Sequence, residues 1–390
     1  MKKYEKYFPK HRTIASIDLN AIVHNGLIAK KLFPRQLILS VLKADAYGHG
    51  ISGVVPAYDQ FTDWYAIATF EEAVRIREKS GKPVLLFGPI PADHIIPAAK
   101  MDLTFTIGSQ DYAQMVSQRL TTAGLVGKCH LKIDTGLNRS GIRWRSEEAL
   151  QEILTVCSLP GLEFTGIYTH LACGEGQEDW ELAYTALQME RFEEACRAMK
   201  TKGLSLGIRH ATSTGGALVH PAYRLDMVRL GMLPMGMSYS DESVKKLGLI
   251  PAMNWISYVA QVETVKAGEP ISYSCTYHAE KDMRIGIVTC GYADGYRRAY
   301  SGKSRVIVSG KSVPVVGRIA MDYTMIDLTG MEDIKPGTPV VMLGTDADQW
   351  ISAQQLSQFG ESVSGEVTCV ISNRVPRIYE SLKGELPCLI

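Results

Sequence analysis

The stretch SVLKADAYGHG, Ser40 to Gly50, ends the apolar run LILSVL on a single lysine, then passes through small residues, a tyrosine and two glycines. A β-rich apolar run of this length, bounded by turn residues, reads as a buried strand. Lys43 then stands at the C-terminal end of that strand, where an apolar residue would have been simpler. What the lysine is for depends on the fold around it.

Working outward, the first 240 residues alternate between two textures. Short β-rich runs include LILSVL, WYAIA, PVLLFG, LTFTIG, CHLKID and FTGIYTHL. Between them lie helix-like segments. TFEEAVRIREKSGK has Thr69 as an N-cap candidate, acidic residues in its first turn and a glycine near its end. SQDYAQMVSQRLTTAG and EDWELAYTALQMERFEEACRAMKTKG read the same way. Strand and helix in alternation imply parallel strands covered by helices. About eight such units fit, and a (β/α)8 barrel takes ~250 residues. A doubly wound open sheet is the rival, but no G-x-G-x-x-G follows the first strand.

Near residue 245 the texture changes. WISYVAQVETV, RIGIVTC, SRVIVSG, SVPVVGRIAM, YTMIDL and TPVVML follow closely, separated by Gly, Pro and Asp turns. The fold class expected is therefore α/β plus all-β. Residues 12–240 form a (β/α)8 TIM-like barrel, and residues 241–390 a mostly antiparallel β domain on which residues 1–11 pack. SDESVKKLGLIPA, at 240–252, is the junction.

Composition excludes several classes. The 390 residues are 46% hydrophobic and carry a formal net charge of +1. No basic block interleaved with aromatics speaks for nucleic acid, and no apolar run reaches membrane-span length. The charged N-terminus MKKYEKYFPKHRT lacks an apolar core, so no signal peptide is read and a cytoplasmic setting is expected. The eight cysteines form no C-x-x-C pair and are expected to be reduced, most of them buried as small hydrophobes. No metal site is read.

In a parallel barrel, chemistry gathers at the C-terminal ends of the strands. Lys43 sits at such an end, so two readings stand: a solvated lysine closing a strand, or a lysine forming a Schiff base with a carbonyl substrate or pyridoxal phosphate. Pieces of a cofactor site occur elsewhere. HATSTGG (His210–Gly216) offers hydroxyls and backbone N–H groups late in the barrel, where phosphate sites form. MVRLGM (Met227–Met232) sets an arginine beside a glycine. KIDTGLNRSG (Lys132–Gly141) and GIYTHL, ending on His170, close two further strands.

These motifs, with RLGMLPMG, ISYSCTY, CGYADGYRR, VGRIAMDYTMID and ISNRVPRIY, occur in the order in which alanine racemases carry them. The sequence resembles that family, of fold type III pyridoxal-phosphate enzymes, from about residue 14 to residue 379. The resemblance implies a barrel plus a β domain, and a head-to-tail homodimer in which the β domain of one subunit closes the other's barrel mouth.

The resemblance also assigns roles. Lys43 holds pyridoxal 5'-phosphate as an internal aldimine and serves as one base. A lysine acts so only once uncharged, a state that desolvation and neighbouring cations favour. Tyr273 of the partner matches the second, opposed base. A phenol ordinarily loses its proton at ~10, so His170 and Arg229 are candidates for a relay behind it. Arg229 matches the arginine facing the pyridine nitrogen, and arginine does not readily give up a proton. Arg139 matches the arginine near the substrate carboxylate, and Lys132 the lysine often carbamylated in relatives. Tyr47, Thr214, Gly231 and Met232 match phosphate contacts. Met321, through its backbone, and Asp322, with Tyr292 and Arg298 at the entrance, match the groups contributed by the partner.

The chain also departs from the family's pattern. Ser213 and Thr214 stand where Asn-Ser is commoner, and LPMG replaces the commoner Leu-Tyr-Gly. Asn373 stands where many relatives have a tyrosine that touches the phosphate. The smaller side chain admits a substrate hydroxymethyl group, so serine is expected as a second substrate, because apolar pockets reject an added hydroxyl poorly. A serine or broad-specificity racemase is thus the alternative to an alanine racemase. A non-catalytic pyridoxal-phosphate binding protein would lack the second domain, and a basic amino-acid decarboxylase would put an acid where Arg229 stands. A D-alanine supply for cell-wall precursors and a role in breakdown both remain open.

Overall fold

The computed structural model describes residues 2–8, 10–145 and 148–380. Cys388 and the end of the expected β domain, 381–390, lie outside them. The chain forms two compact units, one of Val23–Ala46 and Ile51–Pro234, the other of Tyr47–Gly50 with the described residues before Val23 and after Pro234.

The first unit is a barrel of the expected (β/α)8 kind, while Thr13–Asp18, inside the expected span of 12–240, belongs to the second unit, where it pairs with Met253–Ser257. The barrel's strands are β1 (Leu37–Val41), β2 (Trp64–Ile67), β3 (Val84–Leu86), β4 (Leu103–Ile107), β5 (Gly127–Asp134), β6 (Leu162–Tyr168), β7 (Ile208–His210) and β8 (Met227–Leu230). All neighbouring pairs are parallel, in the order β8-β1-β2-β3-β4-β5-β6-β7. Across the last seam Asp226 N donates to Arg209 O (3.0 Å) and Arg229 N to Thr212 O (3.1 Å). The sheet thus comes round on itself. Leu37–Val41, Leu103–Ile107 and Met227–Leu230 are buried almost throughout, because parallel strands are covered on both faces.

Local signals set the helices. Phe70–Arg77 starts at Thr69, whose hydroxyl accepts from Glu72 N (3.3 Å) while the Glu72 carboxylate accepts from Thr69 N (3.3 Å). This reciprocal cap satisfies two amide groups that a helix start leaves orphaned. Ser109 caps Gln110–Thr122 from one side only, its hydroxyl accepting from Tyr112 N. Asp179–Thr201 buries Thr185, Gln188, Met189, Phe192, Ala195, Cys196 and Met199. That spacing of three and four puts them on one stripe. Phe192 is fully buried, and its truncation to alanine costs ~3–5 kcal/mol.

The second unit is built on Met253–Val265, a long strand that serves two sets of partners. Its first half pairs antiparallel with Pro339–Asp346 and with Thr13–Asp18; its second half pairs antiparallel with Met283–Val288. A bulge between Val259 and Gln261 separates the halves, since an extra residue bends and twists a strand. Arg377–Glu380 adds a parallel edge to Thr13–Asp18. Two short helices, Ala353–Phe359 and Ser364–Cys369, interrupt the β texture. Sequence patterning missed them, since each is too short to show a period. Among the described residues no helix is long and apolar enough to cross a membrane.

Candidate active site

At the end of β1 the backbone enters an unusual turn. Ala44, Asp45, Ala46 and Tyr47 all have φ between 50° and 56°. Left-handed geometry costs L-residues roughly 1–2 kcal/mol each, so something must hold this run. Asp45 Oδ1 accepts from Ile51 N (2.9 Å) and pairs with Arg75 (3.1 Å), and Asp45 N donates to Glu72 Oε1 (3.2 Å). The half-buried Lys43 opens this braced turn. Strain maintained in this way is a mark of functional sites.

Arg229, on β8, is 3% exposed. Its Nη1 donates to His210 Nδ1 (3.1 Å), and its Nη2 to His170 Nδ1 (2.9 Å) and to the carbonyls of Thr169 (3.0 Å) and Ala211 (2.7 Å). Arginine only donates, so both histidines present a lone pair at Nδ1 and carry their proton on Nε2. His210 Nε2 then donates to His130 Nδ1 at 3.0 Å. All three histidines are held neutral. Burial, then Arg229, Arg139, Lys132 and Lys43, push His170 down to about 2. Burial pushes His130 down to about 4 and His210 well below its ordinary value. Among the described residues no carboxylate pairs with Arg229, and burial lowers even this guanidinium to about 10.

β5 carries His130, Lys132 and Asp134 on one face, because side chains alternate along a strand. Burial, then Arg139 and Arg229, push Lys132 down to about 8. Its Nζ donates to Ser140 Oγ (2.6 Å) and lies 5.6 Å from the Tyr168 ring centre. Asp134 is occupied with its own loop, accepting from Gly136 N (2.9 Å) and Asn138 N (3.1 Å). This loop presents Arg139 on the rim of a cavity of about 270 Å³ that Lys132 and Asp134 also line. Past β7 and β8, Thr214 Oγ1 accepts from Gly231 N (3.2 Å), which ties together two loops expected to hold phosphate and leaves the hydroxyl proton to donate. Gly231 is buried and Met232 half-buried.

The barrel therefore gathers four cationic side chains, Lys43, Lys132, Arg139 and Arg229, and among the described residues no carboxylate pairs with the buried Arg229. Buried cations are ordinarily paired. This surplus fits a cofactor bearing a phosphate and a phenolate, with a ring nitrogen able to accept from Arg229.

The β unit holds the other expected residues. Tyr47 is half-buried, and burial pushes its phenol up to about 12. Tyr273 is 63% exposed and sits in a single 3-10 turn, Tyr273–Cys275. Its loop is anchored by Ile271, buried with Met283, Ile285 and Val316, and by Ser272 Oγ donating to Arg318 O (2.6 Å). Tyr273, Tyr292 and Arg298 line one open groove of about 740 Å³. Met321 is 52% exposed, and the half-buried Asp322 pairs with Arg12 and Arg374. Asn373 is exposed.

Sequence reasoning missed His130, His210 and Gln188. The fully buried Gln188 accepts from Ala172 N (2.7 Å) and donates to His170 O (3.3 Å), steadying the loop after β6. Strand alternation in CHLKID would have placed His130 beside Lys132. Nothing local marks Gln188, whose contacts are all tertiary.

The fold defines a class: enzymes with a parallel (β/α)8 barrel and a second, mostly antiparallel β unit. The family profile described as alanine racemase, N-terminal domain, matches residues 17–238, and that for the C-terminal domain matches 252–379. An alanine racemase of Desulforamulus reducens is 35% identical over 94% of this chain and 98% of its own, and one of Clostridium perfringens 33% over 94% and 95%. The crystal structure of alanine racemase from Bacillus anthracis with bound L-Ala-P superposes with a TM-score of 0.87 at 31% identity, covering 95% and 96% of the two chains. That of the Streptomyces lavendulae enzyme gives 0.88 at 30%, covering 95% and 97%.

The chain belongs to the alanine racemase family, whose members are pyridoxal-phosphate-dependent isomerases.

Proposed function

We propose that this protein interconverts L- and D-alanine with pyridoxal 5'-phosphate as cofactor, in a homodimer whose sites are shared between subunits. The observation that carries the reading is the buried Arg229, cationic among neutral acceptors, in the same barrel as a lysine on a strained turn after β1. When bound, the cofactor supplies an electron sink that acidifies the substrate's Cα–H.

Lys43 would hold the cofactor covalently through Nζ and, once displaced by substrate, exchange the Cα proton on one face. The partner subunit's Tyr273 would exchange it on the other face through Oη. Two opposed bases suit racemisation, because proton removal and return occur on opposite sides. Arg229 keeps its own proton, so it would donate to a cofactor ring nitrogen and leave that nitrogen unprotonated. The His170 Nε2–H remains available to steady the phenol oxygen, since Nδ1 is taken by Arg229. Thr214, Gly231 and Met232 would take the phosphate. Arg139 and the partner subunit's Met321 N–H would orient the substrate carboxylate, while the partner's Asp322 would hold the Met321 loop beside it and the partner's Tyr292 and the partner's Arg298 would form the entrance. Lys132, with its lowered pKa, offers the neutral amine that carbamylation requires; the resulting anion would pair with Arg139. An open groove on the β unit, of about 650 Å³ with Val265, Ile271, Ile287 and Met325 beside Tyr273, supports docking of a second copy.

The test is loss of optical activity of L-alanine on the cofactor-loaded protein in D2O. Racemisation with α-deuterium uptake is expected. Neither on alanine, with cofactor bound, would refute the reading.

A further inference from the structure

Behind the exposed tips of two β-unit loops, Asp322 is joined by Arg12, Arg374 and a second aspartate, Asp294, which the proposed chemistry does not explain. Arg12 spends all three of its side-chain nitrogens on three segments. Nε donates to Thr289 O (3.2 Å), Nη1 to Asp322 Oδ1 (3.2 Å), and Nη2 to Asp294 Oδ2 (2.7 Å) and Asp322 O (3.0 Å). Arg374 Nη2 donates to the same Asp322 Oδ1 (2.7 Å), and its Nε lies 3.7 Å from Asp294 Oδ1. Asp294 is completely buried and also accepts from Gly291 N (3.0 Å). The arginines hold Asp322's carboxyl below the usual carboxylate range, Arg374 first.

The backbone repeats the connection. Tyr292 N donates to Ala320 O (3.0 Å) and Ala293 N to Met321 O (3.0 Å). A Cβ on Gly291 would lie 2.4 Å from both of those carbonyl oxygens, so only glycine permits the approach. The side chains at the two tips, Tyr292 and Met321, are exposed. Burying a carboxylate such as Asp294 is costly, and fixing geometry is one use that repays it.

We propose that Arg12, Asp294 and Arg374 are positioning residues: with Asp322 they form a four-centre ionic clamp that fixes the Met321 loop against the Tyr292 loop, and so sets where the substrate carboxylate is received. This rests on the functional reading above. The clamp acts on Met321 and Asp322 rather than on the substrate, so its loss impairs binding geometry more than proton transfer.

The experiment is steady-state racemisation of L-alanine by cofactor-loaded Arg374→Met, Arg374→Lys and Arg12→Met proteins, with the bound cofactor's visible absorbance and the melting temperature recorded alongside. Arg374→Met raises KM on the order of tenfold while kcat stays within about threefold. Arg374→Lys, which keeps the charge but not the fork, recovers part of the loss. Arg374 is partly exposed, so its variants keep the test open if Arg12→Met does not fold. An unchanged KM in Arg374→Met, or a fall in kcat that merely tracks lost folded protein, overturns the clamp. A wild-type protein without racemisation sinks the functional reading itself, a result distinct from a wild-type KM in an active variant.

Discussion

Lys132 stands in one barrel with Lys43, Arg139 and Arg229 and feels the charge of all three. For Lys132 this has a thermodynamic consequence. Its ordinary pKa of 10.5 falls to about 8 on folding. Below pH ~8 it is charged in both states, and the folded protein bears the full cost of one more cation. Between ~8 and ~10.5 the folded lysine has lost its proton while the unfolded one keeps it, so stability rises with pH. In cofactor-free protein, Lys132→Met should melt above wild type at pH 7, with the gap closing towards pH 10; a gap that ignores pH would contradict this. Lys43→Ala should lower turnover by ~10²–10⁴-fold or more, the worth of a positioned base, and abolish covalent retention of the cofactor after denaturation. Asn373 bears on specificity. Asn373→Tyr should cut serine turnover relative to alanine, measured as the ratio of kcat/KM values; an unchanged ratio would make Asn373 a neutral variant.

Tyr273 shows how an element can matter more than a propensity. Ser272, Ser274 and Cys275 all have positive φ around it, and the loop keeps this shape through Ile271 and Ser272. Gly317, at φ 65°, lies under Ile271, where an added Cβ would meet the Ile271 carbonyl oxygen at 2.5 Å. Gly317→Ala should therefore displace the loop, reducing kcat ~10-fold or more through misplacement while cofactor binding to the barrel persists. Thr69→Ala, by contrast, removes a helix cap and should cost ~1 kcal/mol without touching turnover.

These elements also mark what the sequence makes legible. Thr69, Ser109 and the stripe on Asp179–Thr201 are local signals, so helices and parallel strands could be read directly. The change to β texture near residue 245 was equally plain. The pairing of Thr13–Asp18 with Met253–Ser257 was not, because contacts so distant in the chain leave no local mark. Nor was the left-handed run at 44–47, since two alanines and an aspartate favour the opposite hand. The names of the site residues came from ordered motifs. Their energetics, with Arg229 short of an anion and three neutral histidines, required the fold.

At the scale of the whole molecule the expected groups are divided. The barrel carries Lys43, Lys132, Arg139, His170, Thr214 and Arg229; the β unit carries Tyr273, Tyr292, Met321 and Asp322. A site drawing one base from each of two subunits makes a demand that no single-chain site makes. Lys43→Ala and Tyr273→Phe proteins should each be inactive alone. Mixed, dissociated and reassociated, they should form hybrid dimers in which one of the two sites has both Lys43 and Tyr273 intact. Racemisation of L-alanine should then return to about a quarter of the wild-type rate for random pairing of equal amounts. Activity that stays absent in a mixture shown to contain hybrid dimers would contradict the shared two-base site.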